Sequence, residues 1–263
     1  MGLLPPAVGP DRPRRRASVI RDVLRDVRAV VLDTDGVITD SARVHAEAWK
    51  RAFDTFLAEH PPDLPAYRRD FDIHEDYFRY VDGKSRLDGA AAFMASRGLR
   101  LRADAVEAVA ADKDRLYVER LRKGRIAAYP GTVRLLHELR GAGIPLAAAS
   151  ASRHARELLL HAGVLPLFDA LVDGAEAARL RLPGKPDPAL FQEAARRLGA
   201  RAADAAVVED ALAGVEAGRR GGFRVVIGVD RNAAAGTRAS LLRHGADIVV
   251  DDLAELVDGG EGP

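Results

Sequence analysis

Two aspartates one residue apart, Asp33 and Asp35, follow the apolar run Val30-Val31-Leu32 and precede Gly36. Like charges that close repel. At about 4 Å and an effective dielectric near 20 the pair costs roughly 4 kcal/mol. A fold tolerates such a pair where a cation or a reaction offsets the repulsion. Other polar groups stand at the ends of apolar runs in the same way. Ser150 follows Pro145–Ala149, with Ser152 and Arg153 just beyond it. Glu209 and Asp210 follow Ala205–Val208, and Lys185 lies between these segments in Gly184-Lys185-Pro186-Asp187-Pro188. Singly, each has a plain explanation: an Asx turn for the aspartates, an N-cap for the serines, a solvated lysine, and an answer to a helix dipole for the Glu-Asp pair. Together, in this order at successive strand ends, they imply one site.

The chemistry they can do jointly is phosphoryl transfer. Asp33, Asp35, Glu209 and Asp210 form an acidic set that calls for a hard cation, and Mg²⁺ takes oxygen ligands while keeping waters and a phosphate. Lys185 can stabilise the nucleophile and the transferring phosphate as a point charge. Ser150 offers a hydroxyl and nearby backbone N–H groups as a phosphate cradle. An ionised carboxylate in that setting attacks phosphorus to give an aspartyl-phosphate. The second aspartate can serve as general acid/base at the attacking or leaving oxygen.

Such residues must be held by regular elements. Apolar runs at Ala29–Leu32, Pro145–Ala149, Ala170–Val172, Ala205–Val208, Arg224–Val229 and Asp247–Val250 read as buried strands. Continuous apolar runs of this kind suit a parallel sheet covered on both faces. Helical patterns at Thr132–Gly141, Arg153–His161, Pro188–Leu198 and Ala211–Arg219 lie between them. The alternation predicts an α/β fold with a doubly wound, Rossmann-like parallel sheet. Ligands of such a sheet bind at the carboxyl ends of its strands. The stretch 44–125 breaks the rhythm, with helical patterns and no buried strand. It is expected to be an inserted, mostly helical cap, leaving 29–43 and 126–263 as the core.

Composition narrows the function classes. The 263 residues carry 40 basic and 39 acidic side chains, a net charge of +1, which gives no electrostatic case for nucleic acid. The absence of cysteine excludes disulfides and thiolate metal sites. No apolar run approaches a membrane span. The first 28 residues include three consecutive arginines but no apolar h-region. They read as a flexible leader and not as a secretory signal, so a cytoplasmic protein is expected, with a monomer as the default.

The strand-end motifs as a set resemble the haloacid-dehalogenase superfamily. The segments DTDGVITDSARVHAEAW, YVDGKSR and AAASASRH look like its β-phosphoglucomutase-like family. The resemblance implies Asp33 as nucleophile, Asp35 as general acid/base, and Ser150 and Lys185 as phosphoryl-binding groups. It implies Mg²⁺ held by Asp33, the Asp35 carbonyl, Asp210 and Glu209. His45 and Trp49 would stand at the hinge into the cap, Gly83, Lys84 and Arg86 on a cap loop, and Lys113 on a cap helix. Ser152, Arg153 and His154 would contact substrate from the core. Arg86, Lys113 and Arg153 would supply a second, distal phosphate site. Lys84 replaces a small apolar residue of that family, and His154 replaces an amide. The implied activity interconverts β-D-glucose 1-phosphate and D-glucose 6-phosphate through a bis-phosphate, with glucose 1,6-bisphosphate as primer. A sugar-phosphate phosphatase on the same scaffold is the alternative, and a non-catalytic sugar-phosphate sensor is a third reading. In each case the partner is a small phosphosugar, not a nucleic acid or a membrane.

Overall fold

A computed structural model describes residues 22–123, 126–231 and 236–257. Most of the expected leader, up to residue 21, and the expected cap boundary at 125 lie outside these residues; the rest of that leader is part of the core, since Asp22–Arg25 is helical and Leu24 and Val27 are buried against the sheet. The strands are β1 (Ala29–Asp33), β2 (Leu146–Ala149), β3 (Ala170–Val172), β4 (Ala205–Glu209), β5 (Val225–Val229) and β6 (Ile248–Val250). They form one sheet in the order β3-β2-β1-β4-β5-β6, and every neighbouring pair is parallel. This is the doubly wound α/β sheet anticipated from the apolar runs. The order reverses at β1, which places a topological switch point between β1 and β4.

Two strands run one residue further than their apolar runs. Asp33 pairs in register with Ala149, and Glu209 pairs with Gly228. Backbone pairing continues past the last apolar side chain, so the sheet itself fixes both carboxylate-bearing residues.

Alternation along the strands builds two apolar layers. Val30 and Leu32 of β1 pack with Leu135, Leu136 and Leu139 of α5 (Pro130–Gly141). Ala29 and Val31 face the opposite layer, with Leu190 and Phe191 of α8 (Ala189–Arg197) and Val215 of α9 (Leu212–Arg220). Helices on both faces explain why the strands read as continuous apolar runs.

Between β1 and β2 the chain is mainly helical. It forms α2 (Ala42–Glu59), a π-helical turn (Tyr77–Val81), α3 (Arg86–Ser96) and α4 (Ala103–Lys123). Val44, Ala48 and Ala52 recur at helical spacing on α2 and pack with Leu116 and Tyr117 of α4. The helix stops just before Pro61-Pro62, where the residue ahead of a proline is driven out of the α region. A second apolar cluster joins Trp49, Phe53, Phe71, Phe93 and Met94. The Phe53 ring lies 4.6 Å from Trp49 and 4.2 Å from Phe93. The inserted segment thus has apolar clusters of its own, separate from those against the sheet. Among the described residues, no helix is long and apolar enough to cross a membrane.

Candidate active site

Asp33 ends the central strand β1, and its Oδ2 accepts a 3.0 Å hydrogen bond from the Asp35 backbone N–H. A tight turn follows. Ile38 and Thr39 N–H both donate to the Thr34 carbonyl, and Gly36 N–H donates to the Thr39 carbonyl. Gly36 adopts φ +85°, and a Cβ there would stand 1.8 Å from Asp210 Oδ2. Only glycine lets this turn bring Asp35 and Asp210 so close.

Lys185 is the counter-charge at the floor of the site. Its side chain is fully buried, 2.5 Å from Asp33 Oδ1 and 2.7 Å from Glu209 Oε2, and its Nζ lies 4.6 Å from the centre of the Phe191 ring. Burial disfavours its charge, yet Asp33 and Glu209 outweigh that and hold the ammonium above its ordinary value. One lysine does not balance the carboxylates around it. Burial raises Asp33 above the usual range. Burial and the neighbouring Asp33 push Glu209 up to about 8, and burial raises Asp210 well above its ordinary value.

Asp33, Glu209 and Asp210 each offer an oxygen, all within 4.8 Å of one another. Among the described residues, no backbone N–H occupies the Asp35 carbonyl. An all-oxygen donor set with surplus negative charge fits a hard divalent cation such as Mg²⁺.

Asp35 sits in a different field. Ser41 Oγ donates a short hydrogen bond to its Oδ1, and His45 Nε2 lies 3.2 Å from the same oxygen. Ser150 Oγ is 3.4 Å from Oδ2. Burial would raise this carboxyl, but His45, Ser41 and Lys113 outweigh it and hold it at about 2. Lys113 Nζ is 2.7 Å from His45 Nδ1, so the ammonium donates there and the imidazole proton sits on Nε2, near Asp35 Oδ1 but without hydrogen-bond geometry to it. Tyr117 stacks on His45 at 4.0 Å. Burial, with the Lys113 charge, lowers the His45 pKa, and burial brings Lys113 down to about 8. A buried chain Lys113–His45–Asp35 therefore joins α4 and α2 to the turn after β1.

The site opens into a cleft of about 400 Å³ between the sheet edge and the inserted segment. Of the residues singled out from sequence, it is lined by Asp33, Asp35, His45, Trp49, Gly83 and Lys84, and by Arg86, Lys113, Ser152, Arg153, Lys185 and Asp210. Ser150 and Glu209 lie just behind this surface, both fully buried. His154 sits at the rim, its Nε2 3.1 Å from Asp114 Oδ1. Arg86 Nη1 stands 3.7 Å from the same carboxylate. Lys84 is half-buried, and burial lowers its pKa. Gly83 takes φ +68°, where its Cβ would meet the Ala211 Cβ at 2.7 Å. That approach lets the loop Asp82–Lys84 lie on the turn after β4.

The cleft also holds groups that the motifs did not point to. Asp82 and Tyr77 line it beside Asp33 and Asp210. Burial and the charge of Asp33 push Asp82 up to about 7. Asp114 joins the cleft from α4. Asp82 is adjacent to Gly83 in YVDGKSR, and Asp114 follows Lys113; adjacency to flagged residues is the signal that could have found them.

Comparisons with known proteins give matches over most of the chain. A family model described as "Hydrolase: haloacid dehalogenase-like hydrolase" matches residues 27–222. The chain is 38% identical over 257 residues to a beta-phosphoglucomutase of Mycobacterium bovis, covering 94% of this chain and 98% of that protein. It is 31% identical over 233 residues to a beta-phosphoglucomutase of Bacillus subtilis, covering 88% and 92%. The crystal structure of a hydrolase from Pseudomonas syringae superposes with a TM-score of 0.71 at 26% identity, covering 87% of this chain and 95% of that one.

Proposed function

Since the chain belongs to the haloacid dehalogenase-like hydrolase family, an enzyme family of phosphotransferases and phosphatases, we propose that it is a Mg²⁺-dependent β-phosphoglucomutase. It would interconvert β-D-glucose 1-phosphate and D-glucose 6-phosphate, with glucose 1,6-bisphosphate as primer. The observation that carries the reading is the pairing of two regions in one cleft. The nucleophile candidate Asp33 is held by Lys185 at the floor, and the cations Lys84, Arg86 and Arg153 line the walls above it. A mutase handles a bis-phosphate and needs a place for both phosphates; a monophosphatase needs only the first.

The proposed sequence starts with Asp33 carrying a phosphoryl group. The sugar 6-hydroxyl attacks phosphorus and breaks the bond to the Asp33 oxygen. Asp35, held ionised by His45 and Ser41, takes the hydroxyl proton as general base. The bis-phosphate then turns about, so that its 1-phosphate faces Asp33. Asp33 attacks that phosphorus, and Asp35 returns the proton to the departing sugar oxygen. Lys185 offsets charge on the transferring group throughout. Asp33, Asp210, Glu209 and the Asp35 carbonyl would hold Mg²⁺. Bound there, Mg²⁺ supplies electrostatic stabilisation of the phosphoryl oxygens. We assign the inserted segment 44–125 as a cap that excludes water while Asp33 is phosphorylated.

The test is to trap the phosphoenzyme. Protein mixed with glucose 1,6-bisphosphate radiolabelled on phosphorus and then acid-quenched should retain acid-stable, hydroxylamine-labile label. Asp33→Asn should retain none, while Asp35→Asn should still be folded and slow both to acquire and to release the label, because Asp35 serves each half-reaction. Label that persists in Asp33→Asn would overturn the assignment.

A further inference from the structure

Arg231 follows β5, outside every motif that pointed to the site, yet its guanidinium is tied to the turn that carries Asp35. Nε donates to the Gly36 carbonyl at 3.2 Å, and Nη2 donates to the Val37 carbonyl at 3.2 Å. The same Nη2 is 2.9 Å from Thr132 Oγ1, which itself donates to the Val37 carbonyl at 2.8 Å. Nη1 pairs with Asp252 through a short contact. The guanidinium carbon lies over the Tyr129 ring, 3.8 Å from its centre. The side chain is only 12% exposed.

These partners share a location. Gly36 to Asp40 is where the chain leaves the core for the inserted segment, and Ala127 to Thr132 is where it returns. The two crossings are knitted together by Asp40 N–H to the Ala127 carbonyl at 3.1 Å, by Tyr129 N–H to the Ile38 carbonyl at 3.0 Å, and by Tyr129 OH to Asp40 Oδ1 at 3.1 Å. The turn closes its own Thr34 and Thr39 carbonyls internally. The Gly36 and Val37 carbonyls have no partner within it, and they are the ones Arg231 takes. A planar fork of fixed donors can span two carbonyls and a hydroxyl at once; a lysine ammonium cannot.

We propose that Arg231 is a positioning residue that clamps the Asp35 turn to the root of both crossings, and so sets the general acid/base for transfer. The proposal rests on the reading of Asp35 given above. Asp35 itself touches Ser41, His45 and Ser150 through its side chain. Its backbone direction is set by the turn, whose Gly36 takes φ +85° and has no side chain to stiffen it. Release of the clamp lets Asp35 wander while the phosphate-binding Lys185 and Ser150 stay in place. A misplacement of about 1 Å costs on the order of 10²-fold in rate.

Arg231→Ala and Arg231→Lys test this in the full chain with Mg²⁺. Activity is read on β-glucose 1-phosphate with primer, and backbone hydrogen exchange is read on the same proteins. The expected result for Arg231→Ala is a kcat lowered on the order of 10²-fold with KM nearly unchanged. Added guanidinium should restore kcat saturably, and ammonium at equal ionic strength should not. The Ile38, Thr39 and Tyr129 amides should exchange faster, with the β1 and β4 amides unchanged. An unaltered kcat per folded molecule, or a loss that guanidinium does not relieve, would overturn the proposal. Unaltered exchange at residues 36–39 would do the same. If Arg231→Ala does not fold, Arg231→Lys keeps the charge near Asp252 and must show the same selective exchange and kcat loss. If the wild-type chain turns over no phosphosugar, the functional reading fails, and the exchange data alone decide whether the clamp exists.

Discussion

Replacing Lys185 with methionine keeps an unbranched apolar stem and removes the ammonium, with its charge and its hydrogen bonds to Asp33 and Glu209. The ammonium is fully buried between Asp33 Oδ1 at 2.5 Å and Glu209 Oε2 at 2.7 Å. Removing one member of a buried pair leaves uncompensated charge and costs about 3–5 kcal/mol. For a chain of this size each kcal/mol moves Tm by roughly 2–4 °C, so Tm should fall by about 6–20 °C. Asp33, already raised by burial, loses the cation that opposes that rise and becomes a poorer nucleophile. The transferring phosphoryl group loses a fixed charge as well, so kcat should fall by at least about 10²-fold. The assays are a thermal melt with chelator and a phosphosugar turnover assay with Mg²⁺. Mg²⁺ should raise the variant's Tm more than the wild type's, because the cation becomes the main offset to the acidic cluster. A Tm within about 2 °C of wild type in chelator, together with near-normal turnover, would refute the view that Lys185 is the site's structural and catalytic counter-charge.

Asp76 should give the inserted segment an acid-labile anchor. Its carboxylate takes Arg69 at 2.8 Å and the buried Arg97 at 2.6 Å. Burial would raise it, but the Asp72 N–H, Arg69 and Arg97 hold it below the usual range. A depressed folded pKa stabilises above the unfolded value near 3.9 and loses that stability as pH falls through the folded value. Asp76→Asn should therefore cost about 3–5 kcal/mol near neutral pH, and the gap in urea midpoint should narrow in acid; a gap independent of pH would contradict this. Gly36→Ala should fold but lose most turnover and Mg²⁺ affinity, because the new Cβ would meet Asp210 Oδ2 at 1.8 Å; calorimetric titration with Mg²⁺ reads it directly. Phe53→Ala should destabilise by about 3–5 kcal/mol, since Phe53 is fully buried among Trp49, Phe71 and Phe93; chemical denaturation checks it.

The sheet was legible because strands buried on both faces leave uninterrupted apolar runs, and polar residues after such runs mark the binding edge. Asp33, Ser150 and Glu209 could be found that way, although side-chain polarity misplaced the ends of β1 and β4 by a residue. Two core helices were not legible for a related reason. No residue of α7 (Gly174–Leu180) is buried, and α10 (Thr237–His244) buries only Leu241, so neither carries an apolar period. Asp82, Asp114 and Arg231 reach the site or its supports only through tertiary folding. Asp82 arrives through a loop that presses on the turn after β4, and Arg231 arrives from the far end of the chain. In sequence Arg231 looks like any solvated loop arginine. His45 and Lys113 were visible as candidates for contact with substrate; their 2.7 Å contact with each other belongs to the packing of α2 against α4.

The most direct test follows both possible products in one tube. Purified protein is given Mg²⁺, β-glucose 1-phosphate and a trace of glucose 1,6-bisphosphate, with the α-anomer and a chelated sample as controls. The account predicts fast, primer-dependent glucose 6-phosphate from the β-anomer alone, with little free phosphate. Free phosphate without glucose 6-phosphate would contradict it and leave a phosphatase.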